Sequence, residues 1–293
     1  MFMESIAELR KICQTTAKKD KSNVYMRYVC RFLSIYLTRL LLPTKITANQ
    51  VSFAMIMTGI FSTILFLCPS RGIFLAGAII FQLWYILDCM DGEVARYRYY
   101  QATGSTMIDK RQSSLAGLYY DIINHYIMNF LVHVTIGFGL LLKTQSLFFM
   151  LVGIAASLGQ VLLLAVHDGK SRAFLAHLKK YKSVEPLADG AAAEVKKKRS
   201  VPHKIFAALH YAMTYPTVMN LVLAAALLNF FLPSSEWRVP LLNFLMLGSL
   251  VVAVTLITRN ISKRRIDDEF KDSFRVTDEQ VESPAAALLE RRS

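Results

Sequence analysis

The chain has 293 residues, 54% of them apolar, and its 34 Lys and Arg outnumber 21 Asp and Glu for a net charge of +13. So apolar a composition, with a mean hydropathy of +0.37, leaves too few polar residues to cover a soluble domain. Cysteines at 13, 30, 68 and 89 have no paired spacing, which argues against a disulfide framework and against a cysteine zinc site.

Residues 1–24 are polar and basic, with Phe2, Ile6, Leu9 and Cys13 at helical spacing and Ser5 and Glu8 at capping-box spacing. No apolar core follows the start, so a surface helix is expected there, not a signal peptide. A second stripe, 25–42, mixes Arg27, Arg31 and Arg39 with aromatic residues and Leu, and suits the membrane interface better than its interior. Six blocks then read as spans, at about 49–68, 72–96, 116–142, 145–166, 204–231 and 238–258. The expected fold is an all-α integral membrane protein, six transmembrane helices preceded by an amphipathic interfacial helix. Its parts are a cytoplasmic segment 1–48, a membrane domain 49–258 with a hydrophilic loop 167–203, and a mixed-charge, partly disordered tail 259–293.

The positive charges set the orientation. With the N-terminus cytoplasmic, thirty-one Lys and Arg fall on that side, and only Arg71, Lys143 and Arg238 on the other. Both termini and the loop between spans two and three are therefore expected in the cytoplasm. The same bias accounts for the basic balance, so no nucleic-acid partner is expected. The basic run 196–199 reads as a solvated loop touching anionic lipid.

The second span carries no charge from Gly72 to Leu87 and then presents Asp88, Asp91, Gly92, Ala95 and Arg96. At a rise of about 1.5 Å per residue Asp88 lies ~24 Å from Gly72, near the cytoplasmic interface. Asp88, Asp91, Gly92 and Ala95 share one helical face, so two carboxylates stand beside two positions with little side chain. The third span opens with Gly117, Asp121 and His125 at i, i+4 and i+8. Antiparallel packing of the two helices would bring these faces together. Ionisable groups in spans are costly and usually functional, and oxygen ligands of this kind suit Mg²⁺ or Mn²⁺.

Here the chain resembles the CDP-alcohol phosphatidyltransferase family, whose motif is Asp-x2-Asp-Gly-x2-Ala-Arg-x8-Gly-x3-Asp-x3-Asp. Asp88, Asp91, Gly92, Ala95 and Arg96 match it in spacing, and 44–52 is similar to the family's loop before the first span, with Ala48 where Pro is usual. Two departures stand out. Twenty residues separate Arg96 from Gly117, an insertion of 12, and the last position is His125. A rival register through Ser105, Asp109 and Ser113 keeps the spacing but falls in a polar run and loses two identities.

The resemblance implies transfer of a phospho-alcohol group, favoured as phosphatidyl from CDP-diacylglycerol, to a hydroxyl acceptor with release of CMP, as in phospholipid biosynthesis. It implies two divalent ions held by Asp88, Asp91 and Asp121, with His125 as base or fourth ligand. Gly92, Ala95 and Gly117 would make room for nucleotide beside Asp88, and Arg96 would contact phosphate. Arg96 as a snorkelling charge and His125 as a packed histidine are the plainer readings. Glu93, off the shared face, reads as an ordinary interfacial charge, Cys89 as packing, and Asn49 as a headgroup contact or the N-cap of the first span. Acceptor-binding candidates are Asn49, Lys170, Arg172 and Arg259, with His167 beside them. The resemblance also implies a homodimer among membrane lipids, and a bacterial inner membrane is favoured. Two alternatives stay open: a soluble CDP-polyol or CDP-aminoalcohol donor with a membrane acceptor, and a non-catalytic nucleotide- or metal-binding protein with a degenerate site.

Overall fold

The computed structural model describes residues 4–14, 24–106, 115–179, 181–186, 201–262 and 265–279. Helix α1 (Ile6–Cys13) starts at the expected capping box: Ser5 Oγ accepts from the Glu8 amide, and Glu8 accepts from the Ser5 amide. Its apolar stripe of Leu9, Ile12 and Cys13 is buried against Ile35, Leu42 and Tyr97. The next stripe is a π-helical stretch, Met26–Cys30, running into α2 (Arg31–Leu41). Residues 15–23, part of the expected N-terminal surface segment, lie outside the described residues.

The membrane helices follow as α3 (Ala48–Phe66), α4 (Arg71–Thr103), α5 (Leu115–Thr144), α6 (Leu147–Leu178) and α9 (Arg238–Ser262). Each is long and apolar enough to cross a bilayer. The expected span at 204–231 is instead two helices, α7 (Val201–Ala212) and α8 (Thr217–Phe231), bent by 72° at the break between them. At about 1.5 Å per residue α8 alone falls short of a ~30 Å hydrocarbon core, so the pair makes a sixth crossing only if both parts contribute.

Helix α4 packs on α3 and α8, and α6 packs on α5 and α9. The core between them holds Phe66, Phe74, Phe81, Trp84, Met128, Ile136 and Leu245. Close approach requires glycine at several places. A Cβ on Gly137 would stand 2.7 Å from the Phe149 carbonyl, and one on Gly153 2.7 Å from the His133 carbonyl, so α5 and α6 meet backbone to backbone. At Gly59 of α3 a Cβ would lie 2.6 Å from Met128 Sδ and 2.8 Å from Trp84 Cδ1.

Beyond the spans the chain is more ordered than its polarity suggests. Helix α6 runs twelve residues past the expected end at 166, to Leu178. Strand β1 (Tyr181–Pro186) pairs antiparallel with β2 (Phe274–Glu279), and α10 (Arg265–Ser273) leads into β2. The all-α expectation needs this one addition. Its cause is an aromatic cluster of Phe174, His177, Tyr181, Phe270 and Phe274, whose apolar surface needs cover once it leaves the bilayer. The basic run 196–199 and the tail after 279 lie outside the described residues.

Candidate metal centre and its surroundings

A bond between Trp84 and Asn124 links α4 to α5, in a register to which α3, packed on both helices, also contributes. The Trp84 indole N–H donates to Asn124 Oδ1 at 3.1 Å, both side chains being fully buried. Asp88 comes one turn after Trp84 on α4, while on α5 Asp121 lies one turn before Asn124 and His125 directly follows it. The Trp84 ring also stands edge-on to His125, 5.8 Å between centroids and 84° between planes. Neither Trp84 nor Asn124 is among the residues that sequence reasoning picks out. A tryptophan inside an apolar run looks like core, and Asn124 lies one residue away from the Gly117–Asp121–His125 spacing.

This register brings together three of the four expected metal ligands. His125 Nε2 lies 3.2 Å from Asp121 Oδ1 and 3.8 Å from Asp88 Oδ1. One ligand atom from each of Asp88, Asp121 and His125 can be chosen so that all lie within 4.8 Å of one another. Exposure rises across the group, from 14% for the Asp88 side chain through 27% for His125 to 45% for Asp121, so it opens outward past Asp121. Two carboxylates and an imidazole at this separation are a donor set that could hold a metal ion. The residues present therefore fit such an ion.

Asp91 is turned elsewhere. Its Oδ2 accepts from Ser52 Oγ of α3 at 2.8 Å, which leaves it outside the three-residue group. Gly117 lies on the first turn of α5, half-buried. The rival register has no described geometry, because Asp109 and Ser113 lie outside the described residues.

Arg96 turns back over its own helix. Its Nε donates to the Cys13 carbonyl of α1, and a Cβ on Gly92 would come within 3.1 Å of its Nη1. The space that Gly92 leaves is thus crossed by the Arg96 guanidinium. Ala95 is exposed and lines a different hollow of about 420 Å³ with Asn49, Lys45, Ala48 and Arg98. Asn49 does not cap α3. Thr47 does, in a capping box with Gln50.

Glu93 corrects the sequence reading most sharply. Its side chain is fully buried, not an interfacial charge. Oε1 accepts from Ser34 Oγ and Gln14 Nε2, and Oε2 from Thr38 Oγ1, each at 2.7 Å. Three donors from α2 and the end of α1 thus converge on one carboxylate of α4. Cys89 is half-buried and packs against the core, as expected.

The acceptor candidates separate. Lys170 and Arg259 line one cavity of about 270 Å³ with His167, His203 and His210. Lys170 is paired with Glu269, His167 stacks on His210 at 5.7 Å, and Arg259 lies over Phe206. Arg172 is exposed and outside that cavity. Compared with known proteins, the chain matches no family model and no curated protein.

Proposed function

We propose that this membrane protein is a metal-dependent CDP-alcohol phosphotransferase. It transfers a phospho-alcohol group, favoured as phosphatidyl from CDP-diacylglycerol, to an alcohol hydroxyl and releases CMP. The observation that carries the reading is the approach of Asp88, Asp121 and His125 from two helices to within 4.8 Å at the ends of apolar segments. Charged groups are rarely gathered there without a cation or substrate to hold.

Asp88 and Asp121 would hold Mg²⁺ or Mn²⁺, with His125 as a further ligand. Asp91 would join a second ion on release of Ser52. When bound, the ions offset the negative charge that builds on the diphosphate as CMP departs. In the alternative role His125 would donate Nε2–H to Asp121, which lies 3.2 Å away, and take the acceptor's proton at Nδ1. The hollow between Asn49 and Ala95, with Lys45 and Arg98 on its rim, suits the nucleotide phosphates. The cavity of His167, Lys170 and Arg259 suits a polar acceptor. The excess of Lys and Arg on one set of loops supports a cytoplasmic site.

The test is CMP release from purified protein across CDP-donor and alcohol-acceptor pairs, with Mg²⁺ or Mn²⁺ and with chelator. Cation-dependent release with at least one pair is expected. Full turnover by a folded Asp88→Asn or Asp121→Asn variant would sink the reading.

A further inference from the structure

We propose an anion-binding site at the end of the helix bundle opposite the acidic cluster, where one small inorganic anion of chloride size sits against the Arg238 guanidinium at the start of α9. Arg238 is fully buried. Its Nε and Nη2 donate to the two oxygens of Glu236, at 2.6 and 3.1 Å, so Nη1 is turned away from that carboxylate. Nη1 is buried and has no hydrogen-bond partner among the described residues, and the indole N–H of Trp237, the preceding residue, is in the same condition. Phe74 offers the guanidinium a ring, its centroid 5.1 Å away, but an aromatic face is a weaker acceptor than an anion. A buried donor without an acceptor is costly, most of all on a charged group.

The balance of charge points to an anion and not to a water molecule. The connections at this end, 67–70, 145–146 and 232–237, lie wholly within the described residues and hold one acid, Glu236, while Arg71, Lys143 and Arg238 border them. No Asp or Glu occurs in α3, α8 or α9, in α4 before Asp88, in α5 after Asp121 or in α6 before Asp168. Three cations therefore meet one carboxylate. Lys143 and Arg238 share it with Asn229, and Arg71 donates to the neutral Pro233 carbonyl. Lys143 is partly open to solvent and is screened there, whereas Arg238 is sealed in. A water on Nη1 would accept the bond and leave the charge; an anion answers both. The burial of Nη1 also excludes a lipid phosphate, whose ester chains need an open approach. This site is separate from the acidic cluster and does not depend on the transferase reading.

The experiment uses the full chain in phosphatidylcholine nanodiscs, with chloride exchanged for gluconate at constant ionic strength so that screening is unchanged. Binding is read from the width of the chloride nuclear magnetic resonance line, and stability from the melting temperature. Chloride should broaden the line and raise the melting temperature, as a ligand of the folded state does. Arg238→Gln should weaken chloride binding about tenfold or more, the scale of one hydrogen bond to a charged group. Should that variant fold poorly, Lys143→Gln keeps the Arg238–Glu236 pair and removes one of the excess charges, and binding about threefold weaker is expected. Arg39→Gln, the same change of charge on α2, should bind chloride as the parent does. Equal melting temperatures in chloride and gluconate with no broadening would leave Nη1 to water and overturn the proposal. Broadening that stays at the parent level in every folded Arg238 or Lys143 variant would place the ion elsewhere and overturn it too.

Discussion

Asp88, Asp121 and His125 share a dilemma of charge: two carboxylates face one imidazole where helices leave the bilayer. A bound divalent cation would relieve the repulsion between the carboxylates. Asp121→Asn is therefore expected to cut cation-dependent CMP release by at least about 100-fold, the scale of losing a main electrostatic group. Normal elution on size exclusion would show that the variant folds. His125→Ala should also lower turnover, and a cation titration of its residual activity separates the two roles proposed for the ring. A raised cation requirement marks a ligand, and unchanged cation affinity with slow turnover marks a base. The three residues were legible, together with Asp91, because helical spacing puts Asp88 and Asp91 on one face of α4 and Asp121 and His125 on one face of α5; which of them meet depends on packing. Trp84 and Asn124 were not, since their importance is a bond across helices. Trp84→Phe keeps the aromatic bulk but leaves Asn124 Oδ1 buried without its donor, which should cost about 1–3 kcal/mol. A thermal melt in detergent checks this, and an unchanged midpoint would refute the contribution of this bond to the register.

At the scale of elements, the N-terminal helices are fastened to α4 through Glu93, Arg96 and Tyr97, which follow Asp88 on the same helix. Glu93 binds Gln14, Ser34 and Thr38; Arg96 binds the Cys13 carbonyl; Tyr97 donates to Glu4 at 2.6 Å. Glu93→Ala strands three donors, two of them on fully buried side chains. It is expected to raise hydrogen exchange in α1 and α2 far more than in α5, read by mass spectrometry. Exchange confined to the parent level would show that apolar packing of Leu9 and Ile12 suffices. That α1 and α2 are helices could be read from sequence, because their apolar residues recur at helical period. Their docking could not. A glutamate at a span end looks the same whether it meets water or three donors, and only the partner helix decides which.

Across the whole molecule, the opposite membrane end is closed by a second polar cluster, from the ends of α5 and α8 to the start of α9. Glu236 accepts from Arg238, from Lys143 and from Asn229 Nδ2, and Arg71 of α4 donates to the Pro233 carbonyl. Arg238 is fully buried, its guanidinium 5.1 Å from the Phe74 centroid. Partial burial of Glu236 favours its neutral form, but the hydrogen bonds and charges of Arg238 and Lys143 outweigh this and hold its pKa at about 2, down from 4.5. The folded state therefore binds fewer protons than the unfolded one between these values. The stabilisation is complete above pH 4.5 and is lost as the pH falls towards 2. Melting temperature should fall with acid over that window, and Glu236→Gln should lower it at neutral pH while flattening the acid dependence. Equal acid dependence in both proteins would assign the effect to other groups.

By itself the sequence determined the membrane class, the long helices, the capping box of α1 and the helical faces that carry Asp88, Asp91, Asp121 and His125, because each follows from composition or from helical period. Only the tertiary structure decided that Asp91 turns to Ser52, that Glu93 is buried, that 204–231 is bent into two helices, and that the polar segments after α6 and α9 form a strand pair. The physical reason is common to all four. Local pattern fixes which face a residue occupies along its own helix, whereas the donors, acceptors and apolar surface that meet that face belong to distant parts of the chain.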